Sequence, residues 1–134
     1  MPLVEWNEQL SVGVPEMDQQ HVKLIGMINR LHEAMRTGEA AGIQKTILGE
    51  LVTYTKVHFA AEERMLDLRK YPHLAAHKLL HKYFTDKVVE MHERVVAGKM
   101  VSSVSMNTFL QDWLVKHIQH EDKKYGQYLC GVAC

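Results

Sequence analysis

The sequence predicts an all-α protein, an up-down-up-down antiparallel four-helix bundle with an extended N-terminal arm. Apolar side chains recur at three- and four-residue steps through four segments of roughly 20 residues each. The prolines are Pro2, Pro15 and Pro72, so two long stretches are free of proline, which suits long helices. Because the connections between the segments are short, consecutive helices are expected to lie side by side in opposite directions.

The elements follow from the chain in order. Residues 1–17 carry apolar side chains without helical spacing, which predicts an extended arm packed on the bundle. Asp18 is a suitable N-cap for the first helix, and Gly38 is a suitable stop. We treat the 134 residues as one domain. The other predicted bounds are helices at 42–66, 74–98 and 103–129, a bundle over 18–130 and a tail at 131–134.

The composition argues against several classes of protein. The 16 basic and 16 acidic side chains cancel, which disfavours a nucleic-acid-binding surface or a polybasic membrane anchor. Hydrophobic residues make up 46% of the chain, enough for a core, and no apolar run approaches the ~20 residues that span a bilayer. The first residues lack the basic and then apolar pattern of a secretory signal. We therefore expect a cytoplasmic protein without nucleic-acid partners or membrane insertion.

Histidine is unusually frequent, with nine residues, and histidines lie on the apolar stripe of every predicted helix. Residues four apart on a helix project from one face, one turn along. His58 and Glu62 have this spacing, and so do His77 and His81. Each pair can therefore approach one metal centre from a single helix face.

The fourth helix offers a less regular pair. His117 and Asp122 are five residues apart, a spacing that separates their side chains by about 140° on a regular helix. We expect an inward lean of Asp122 or a local distortion of the helix. With His21 on the first helix, the inventory is five imidazoles and two carboxylates. That set exceeds one tetrahedral zinc site, suits two metals that share the carboxylates, and favours iron, manganese or zinc.

A rival class of di-iron bundle is the ferritin-like one, which uses Glu-x-x-His pairs. No glutamate in this chain has a histidine three residues later, so that class is disfavoured. The pattern instead resembles the hemerythrins, in particular the single-domain bacterial ones, over essentially the whole chain. The matching motifs are Asp18-Gln19-Gln20-His21, His58-Phe59-x-x-Glu62-Glu63, His77-x3-His81 and Trp113-Leu114-Val115-Lys116-His117-Ile118 with Asp122.

The resemblance implies an oxygen-binding protein rather than an enzyme. It implies a carrier or store that binds O2 reversibly at a non-haem di-iron centre, with an oxo or hydroxo group as a further bridge between Fe2+ or Fe3+ ions. The implied ligands are His77, His81 and His117 for one iron, His21 and His58 for the other, and Glu62 and Asp122 as bridges.

The resemblance also implies a binding pocket at the iron that has one ligand fewer. O2, or a small anion such as azide, would bind there. Reversible binding needs a dry pocket, because entering water or anions favour oxidised iron. The alternatives are an O2 or redox sensor and a di-iron protein that handles nitric oxide or peroxide, and no motif names a client protein that consumes the O2. The apolar residues that match the family's pocket are Leu24, Phe59, Trp113, Leu114 and Ile118.

Overall fold

The computed structural model describes residues 4–38, 41–99 and 103–130, and the predicted tail at 131–134 lies outside these ranges. The architecture confirms the all-α prediction, since every regular element in the described ranges is helical. The last three regular elements follow one another without a break and form the fourth helix of the bundle. The bounds are α1 Pro15–Arg36, α2 Ala41–Leu68, α3 Leu74–Val96, α4 Ser103–Lys116, the π segment His117–Asp122 and α5 Lys123–Cys130.

The helices pack around one apolar core. α2 lies against both α1 and α3, and α1 lies against α4. The core side chains are almost wholly removed from water, which is the main favourable contribution to folding. No helix in the described ranges is both long enough and apolar enough to cross a membrane. Large core residues include Leu24, Ile28, Leu51, Phe84 and Leu110.

The first helix begins at Pro15, earlier than predicted. Proline suits a first helical position because the missing N–H has no partner there in any case, and Val14 takes the N-cap position without a side-chain cap. Asp18 is therefore not the N-cap, and that prediction was wrong. Its carboxylate instead accepts hydrogen bonds from Ser11 Oγ at 2.6 Å and from the Val12 N–H at 2.9 Å. Asp18 thus fastens the arm to the helix.

The arm lies on the bundle, as predicted, but it is not extended throughout. A short 3-10 helix, Glu8–Leu10, interrupts it and packs against the π segment. Val4 exchanges two hydrogen bonds with the side chain of Asn29, at 2.8 and 2.7 Å. Further along, a Cβ atom on Gly126 would collide with the carbonyl oxygen of Val12, so α5 admits the arm at this point only because the residue is glycine.

The π segment resolves the five-residue spacing in the fourth helix. A π-helical turn pairs residues five apart instead of four, so it brings the first and last residues of the segment to one face. His117 and Asp122 are both buried, with His117 Nε2 3.0 Å from Asp122 Oδ1. The predicted local distortion of this helix is confirmed.

The turn between α2 and α3 is held by α5. Lys70 adopts a left-handed backbone conformation with φ 55°, and the following N–H, of Tyr71, donates back to the carbonyl of Leu66 at 3.0 Å. The hydroxyl of Tyr128 lies 3.0 and 3.1 Å from the carbonyls of Arg69 and Lys70. Hydrogen bonds therefore join the α2–α3 turn to α5 beside Tyr71.

Candidate metal centre

The predicted ligands come together at one level of the bundle. α1 provides one of them, α2 and α3 provide two each, and the π segment provides two. Each of the seven is at most 5% exposed. Polar and charged side chains are rarely buried at this density without a specific partner. The seven residues are His21, His58, Glu62, His77, His81, His117 and Asp122.

Glu62 divides its two carboxylate oxygens between two groups of histidines. Oε1 lies 2.7 Å from Nε2 of His77 and 3.0 Å from Nε2 of His81. Oε2 faces the other way, 3.3 Å from Nε2 of His58 and 3.5 Å from Nε2 of His21. Since the two oxygens of one carboxylate have different neighbours, Glu62 is positioned to bridge two metal ions.

The two carboxylate oxygens of Asp122 also face different groups of histidines. Oδ1 lies 3.0 Å from Nε2 of His117 and 3.2 Å from Nε2 of His77. Oδ2 lies 3.2 Å from Nε2 of His21. Both carboxylates therefore separate the imidazoles in the same way. We call these the three-histidine set, His77, His81 and His117, and the two-histidine set, His21 and His58.

Two of the imidazoles are oriented by hydrogen bonds at the ring nitrogen that faces away from the centre. His58 Nδ1 donates to the amide oxygen of Gln20 at 2.6 Å. His81 Nδ1 donates to the carboxylate of Glu63 at 2.8 Å. A proton on Nδ1 leaves the Nε2 lone pair free, which is the tautomer that a metal requires. Neither partner was predicted, because each lies on a helix next to the one whose histidine it holds.

The unpartnered atoms at the centre fit a bound cation. Within the described ranges, the buried atoms without a hydrogen bond include both ring nitrogens of His21, Nε2 of His81 and of His117, and Oδ1 of Asp122. Carboxylate oxygens lie within 3.5 Å of the three Nε2 atoms, but these contacts lack hydrogen-bond geometry. Each such group costs on the order of 1–3 kcal/mol when left unpaired. Imidazole and carboxylate donors without thiolate suit non-haem iron.

The buried carboxylates of Glu62 and Asp122 favour positive charge at the centre. Burial alone would lower the pKa of His21 and His77, but the carboxylates of Asp122 and Glu62 outweigh it and raise both pKa values to about 9. Burial would raise the pKa of Glu62, yet the imidazoles of His21, His58, His77 and His81 close to its two oxygens hold it well below its usual range. Two ionised carboxylates in the core therefore attract protons onto the imidazoles, or a metal cation in their place.

Tyr125 is a further contact of the centre. Its hydroxyl donates to Oε2 of Glu62 at 2.9 Å, and the side chain is fully buried. Burial, together with the charges of Glu62 and Asp122, raises the pKa of this phenol far above its usual value, so it remains a donor. Its hydroxyl therefore marks the Oε2 side of the bridging carboxylate.

The apolar residues predicted to line the pocket fall into two groups. Phe59 stacks on the ring of His81 with centroids 3.7 Å apart, and Trp113 stacks on His117 at 4.3 Å. These two rings therefore cover the three-histidine set, although Phe59 also lies 5.6 Å from the ring of His58. The others, Leu24, Leu114 and Ile118, are buried.

The four remaining histidines do not join the centre. His73 and His120 are exposed, and His32 and His92 are half-buried. His32 contacts the side-chain amide of Asn107, with Nδ1 3.1 Å from Nδ2. In the part of the chain that the structure describes, none of the four belongs to a group of metal-ligating residues.

Comparisons with known proteins agree with this geometry. The family model described as "Hemerythrin HHE cation binding domain" matches residues 12–129. A protein named Bacteriohemerythrin from Stenotrophomonas maltophilia is 38% identical over 126 residues, which are 94% of this chain and 81% of the relative. A protein of the same name from Methylococcus capsulatus is 32% identical over 130 residues, 96% of this chain and 98% of the relative. A crystal structure of wild-type hemerythrin has a TM-score of 0.87 at 30% identity, covering 92% of this chain and 95% of that one.

Proposed function

Because this chain belongs to the hemerythrin family, we propose that it binds O2 reversibly at a non-haem di-iron centre, as a carrier or store. The observation that supports this best is that the two oxygens of each carboxylate face different sets of histidines. Glu62 and Asp122 each face both sets of histidines, so each can join two ions across the bundle axis. When bound, iron supplies the one-electron changes that O2 binding requires.

The two sets differ in the number of donors they offer. The three-histidine set and the two carboxylates provide five protein donors, whereas the two-histidine set and the same carboxylates provide four. With an oxo or hydroxo group as a further bridge, six-coordination would be complete only on the three-histidine side. O2 would therefore bind beside His21 and His58, and azide would compete for that position.

The surrounding side chains keep this position dry. Leu24 lies one helical turn after His21, and Leu114 lies one turn before His117, so each shares the inward face of a ligand. Ile118 and Phe59 directly follow ligands in the chain, and both are buried. Apolar side chains exclude water and anions, which would otherwise favour oxidised iron and irreversible loss of the ligand.

The experiment is an oxygen-binding titration on protein reconstituted with ferrous iron without air. We expect absorbance changes that saturate with O2, reverse when O2 is removed, and persist over repeated cycles. Glu62→Ala should abolish the signal, and His120→Ala, at an exposed histidine, should leave it unchanged. Irreversible oxidation in the first cycle, or turnover of a substrate in place of a stable bound state, would contradict the proposal.

A further inference from the structure

Three tyrosines form a row from the metal centre to the surface. The Tyr125 ring lies 6.5 Å from the ring of Tyr71, which lies 5.3 Å from the ring of Tyr128. Tyr125 begins the row with its hydrogen bond to Glu62, and Tyr128 ends it with 43% of its surface exposed. Tyr71, between them, is 6% exposed. The rings are close enough for each to contact the next.

The row also touches the ligands themselves. The ring of His77 lies 5.7 Å from Tyr125 and 6.4 Å from Tyr71. A core position that needs only volume can be filled by phenylalanine or leucine, since a buried phenol requires a partner for its hydroxyl. Tyrosine differs from phenylalanine in a second way, because a phenol can be oxidised by one electron. The use of phenols at all three positions is therefore chemically significant.

We propose that Tyr125, Tyr71 and Tyr128 relay oxidising equivalents from the metal centre to the surface, so that the protein reduces hydroperoxides at the expense of a small one-electron donor. The donor belongs to the ascorbate or phenol class and reacts at the exposed ring of Tyr128. This activity rests on the proposed iron loading and adds to reversible O2 binding. It lets the protein discharge an oxidant that would otherwise attack the buried ligands.

The electrons and protons balance as follows. A hydrogen peroxide molecule takes up two electrons and two protons, its O–O bond breaks, and two water molecules form. In each of two successive rounds, Tyr125 gives up one electron toward the centre, and its phenolic proton passes along the hydrogen bond to Glu62 and from there to a peroxide oxygen. Tyr71 then reduces Tyr125, and Tyr128 reduces Tyr71, each losing a proton when oxidised and regaining one when reduced. Two donor molecules each supply one electron and one proton to Tyr128, so the tyrosines are unchanged overall.

A second aromatic series gives an internal control. From His117, ring contacts run through Trp113, Phe84 and Phe109 to Tyr83. Tyr83 is 50% exposed, close to the 43% of Tyr128. Phenylalanine is not oxidised under conditions that oxidise tyrosine, so the two phenylalanines interrupt this series. Tyr83 therefore matches Tyr128 in exposure but lacks a connected path to the centre.

The test is to locate the radical after hydrogen peroxide is added to iron-loaded protein without an added donor. A nitroso spin trap captures tyrosyl radicals, and peptide mass spectrometry identifies the labelled residue. We expect the label at Tyr128 and not at Tyr83, and none at Tyr128 in metal-free protein given the same dose. In Tyr71→Phe and Tyr125→Phe, which keep the rings, labelling per bound iron should fall to the metal-free level. Tyr83→Phe should leave it unchanged.

Other results overturn the relay. Equal labelling of Tyr83 and Tyr128, or labelling of Tyr128 that survives Tyr71→Phe, means that peroxide attacks the surface directly. An iron-loaded protein with no label at Tyr128 contradicts the relay alone, whereas a chain that retains no iron contradicts the proposed function and the relay together. Tyr125→Phe removes a hydrogen bond from Glu62 and can reduce iron content. Tyr71→Phe leaves that bond in place and decides the question in that case.

Discussion

The three-histidine set and the two-histidine set share both carboxylates but differ in their surroundings. In the first set, Phe59 and Trp113 stack on two of the rings, and the charged carboxylate of Glu63 holds His81. In the second set, the rings of His21 and His58 lie edge to face, 4.8 Å apart, and the neutral amide of Gln20 holds His58.

This difference bears on how one protein can treat two similar ions differently. A carboxylate acceptor makes an imidazole a stronger donor than an amide acceptor does, and stacked aromatic rings restrict its movement. In the proposed di-iron centre, the three-histidine side would therefore hold its ion more firmly. The two-histidine side has one donor fewer and a neutral support, which is the better arrangement for an ion that must exchange a ligand.

Removal of a shared carboxylate should have the largest effect, since it affects both sets at once. We expect Glu62→Ala, and equally Asp122→Ala, to lose most of the bound iron, because each carboxylate faces histidines of both sets. Metal analysis after aerobic purification measures the loss. His73→Ala and His120→Ala are the controls, because both histidines are exposed. Equal loss in all four variants would mean that the ligand assignment is wrong.

A change confined to one set should have a smaller effect. Glu63→Gln gives His81 the same kind of neutral support that His58 has, and we expect it to weaken metal binding at the three-histidine set by roughly 10- to 100-fold. Competition against a chelator, with Zn2+ as the probe, resolves the two binding steps. Glu121→Gln is the matched control, since Glu121 also adjoins a ligand but lies 3.5 Å from Lys124. If both steps weaken equally, the support is not specific to one set.

Opening the pocket should change rates more than metal content. Leu114 is 2% exposed, and Leu114→Ala would leave a space beside polar iron-bound atoms, which water would enter. We expect faster autoxidation and faster azide binding with iron content nearly unchanged, measured by the decay of the oxygenated absorption band and by stopped-flow mixing. Leu110→Ala removes the same atoms one turn away, and each variant should lose roughly 2–5 kcal/mol of unfolding free energy. Unchanged rates in Leu114→Ala would mean that this side chain does not guard the open position.

The contact between the arm and α5 should have the smallest effect. Gly126 follows Tyr125, the hydrogen-bond donor to Glu62 Oε2, and a methyl group there would collide with Val12. We expect Gly126→Ala to lower the free energy of unfolding by roughly 1–3 kcal/mol through overpacking. Gly26→Ala, where nothing lies within 4 Å of the added Cβ, should raise it by roughly 0.5–1 kcal/mol. Denaturant unfolding of metal-free protein compares the two, and the same sign in both would contradict the close approach.

The sequence predicted the bundle and the convergence of the seven polar residues because both depend on spacing within one helix. His77 and His81 share a face whatever the rest of the fold does. Even the irregular spacing of His117 and Asp122 predicted a distortion of the fourth helix, and the structure has a π-helical segment at this point. The start of α1 was missed because Asp18 has two possible uses, as a helix cap or as an acceptor for the arm, and the sequence does not distinguish them.

The contacts between helices could not be read from spacing. Gln20 precedes one ligand but holds another, His58, on the next helix, and Glu63 likewise holds His81. Such pairs depend on how far one helix is shifted along its neighbour, and the spacing of residues within a single helix does not determine that shift. The row of tyrosines could not be predicted for the same reason, since Tyr125 lies 54 positions after Tyr71 in the chain but only three positions before Tyr128.

The most direct test of the central claim is a Mössbauer spectrum of oxidised protein loaded with isotopically enriched iron, with the iron content measured on the same sample. The two sets and their shared carboxylates predict two ferric ions per chain, magnetically coupled into a pair without net spin, with distinct signals for the three-histidine and two-histidine sides. One iron per chain, or two ions that remain magnetically independent, would show that Glu62 and Asp122 do not bridge and would contradict the account.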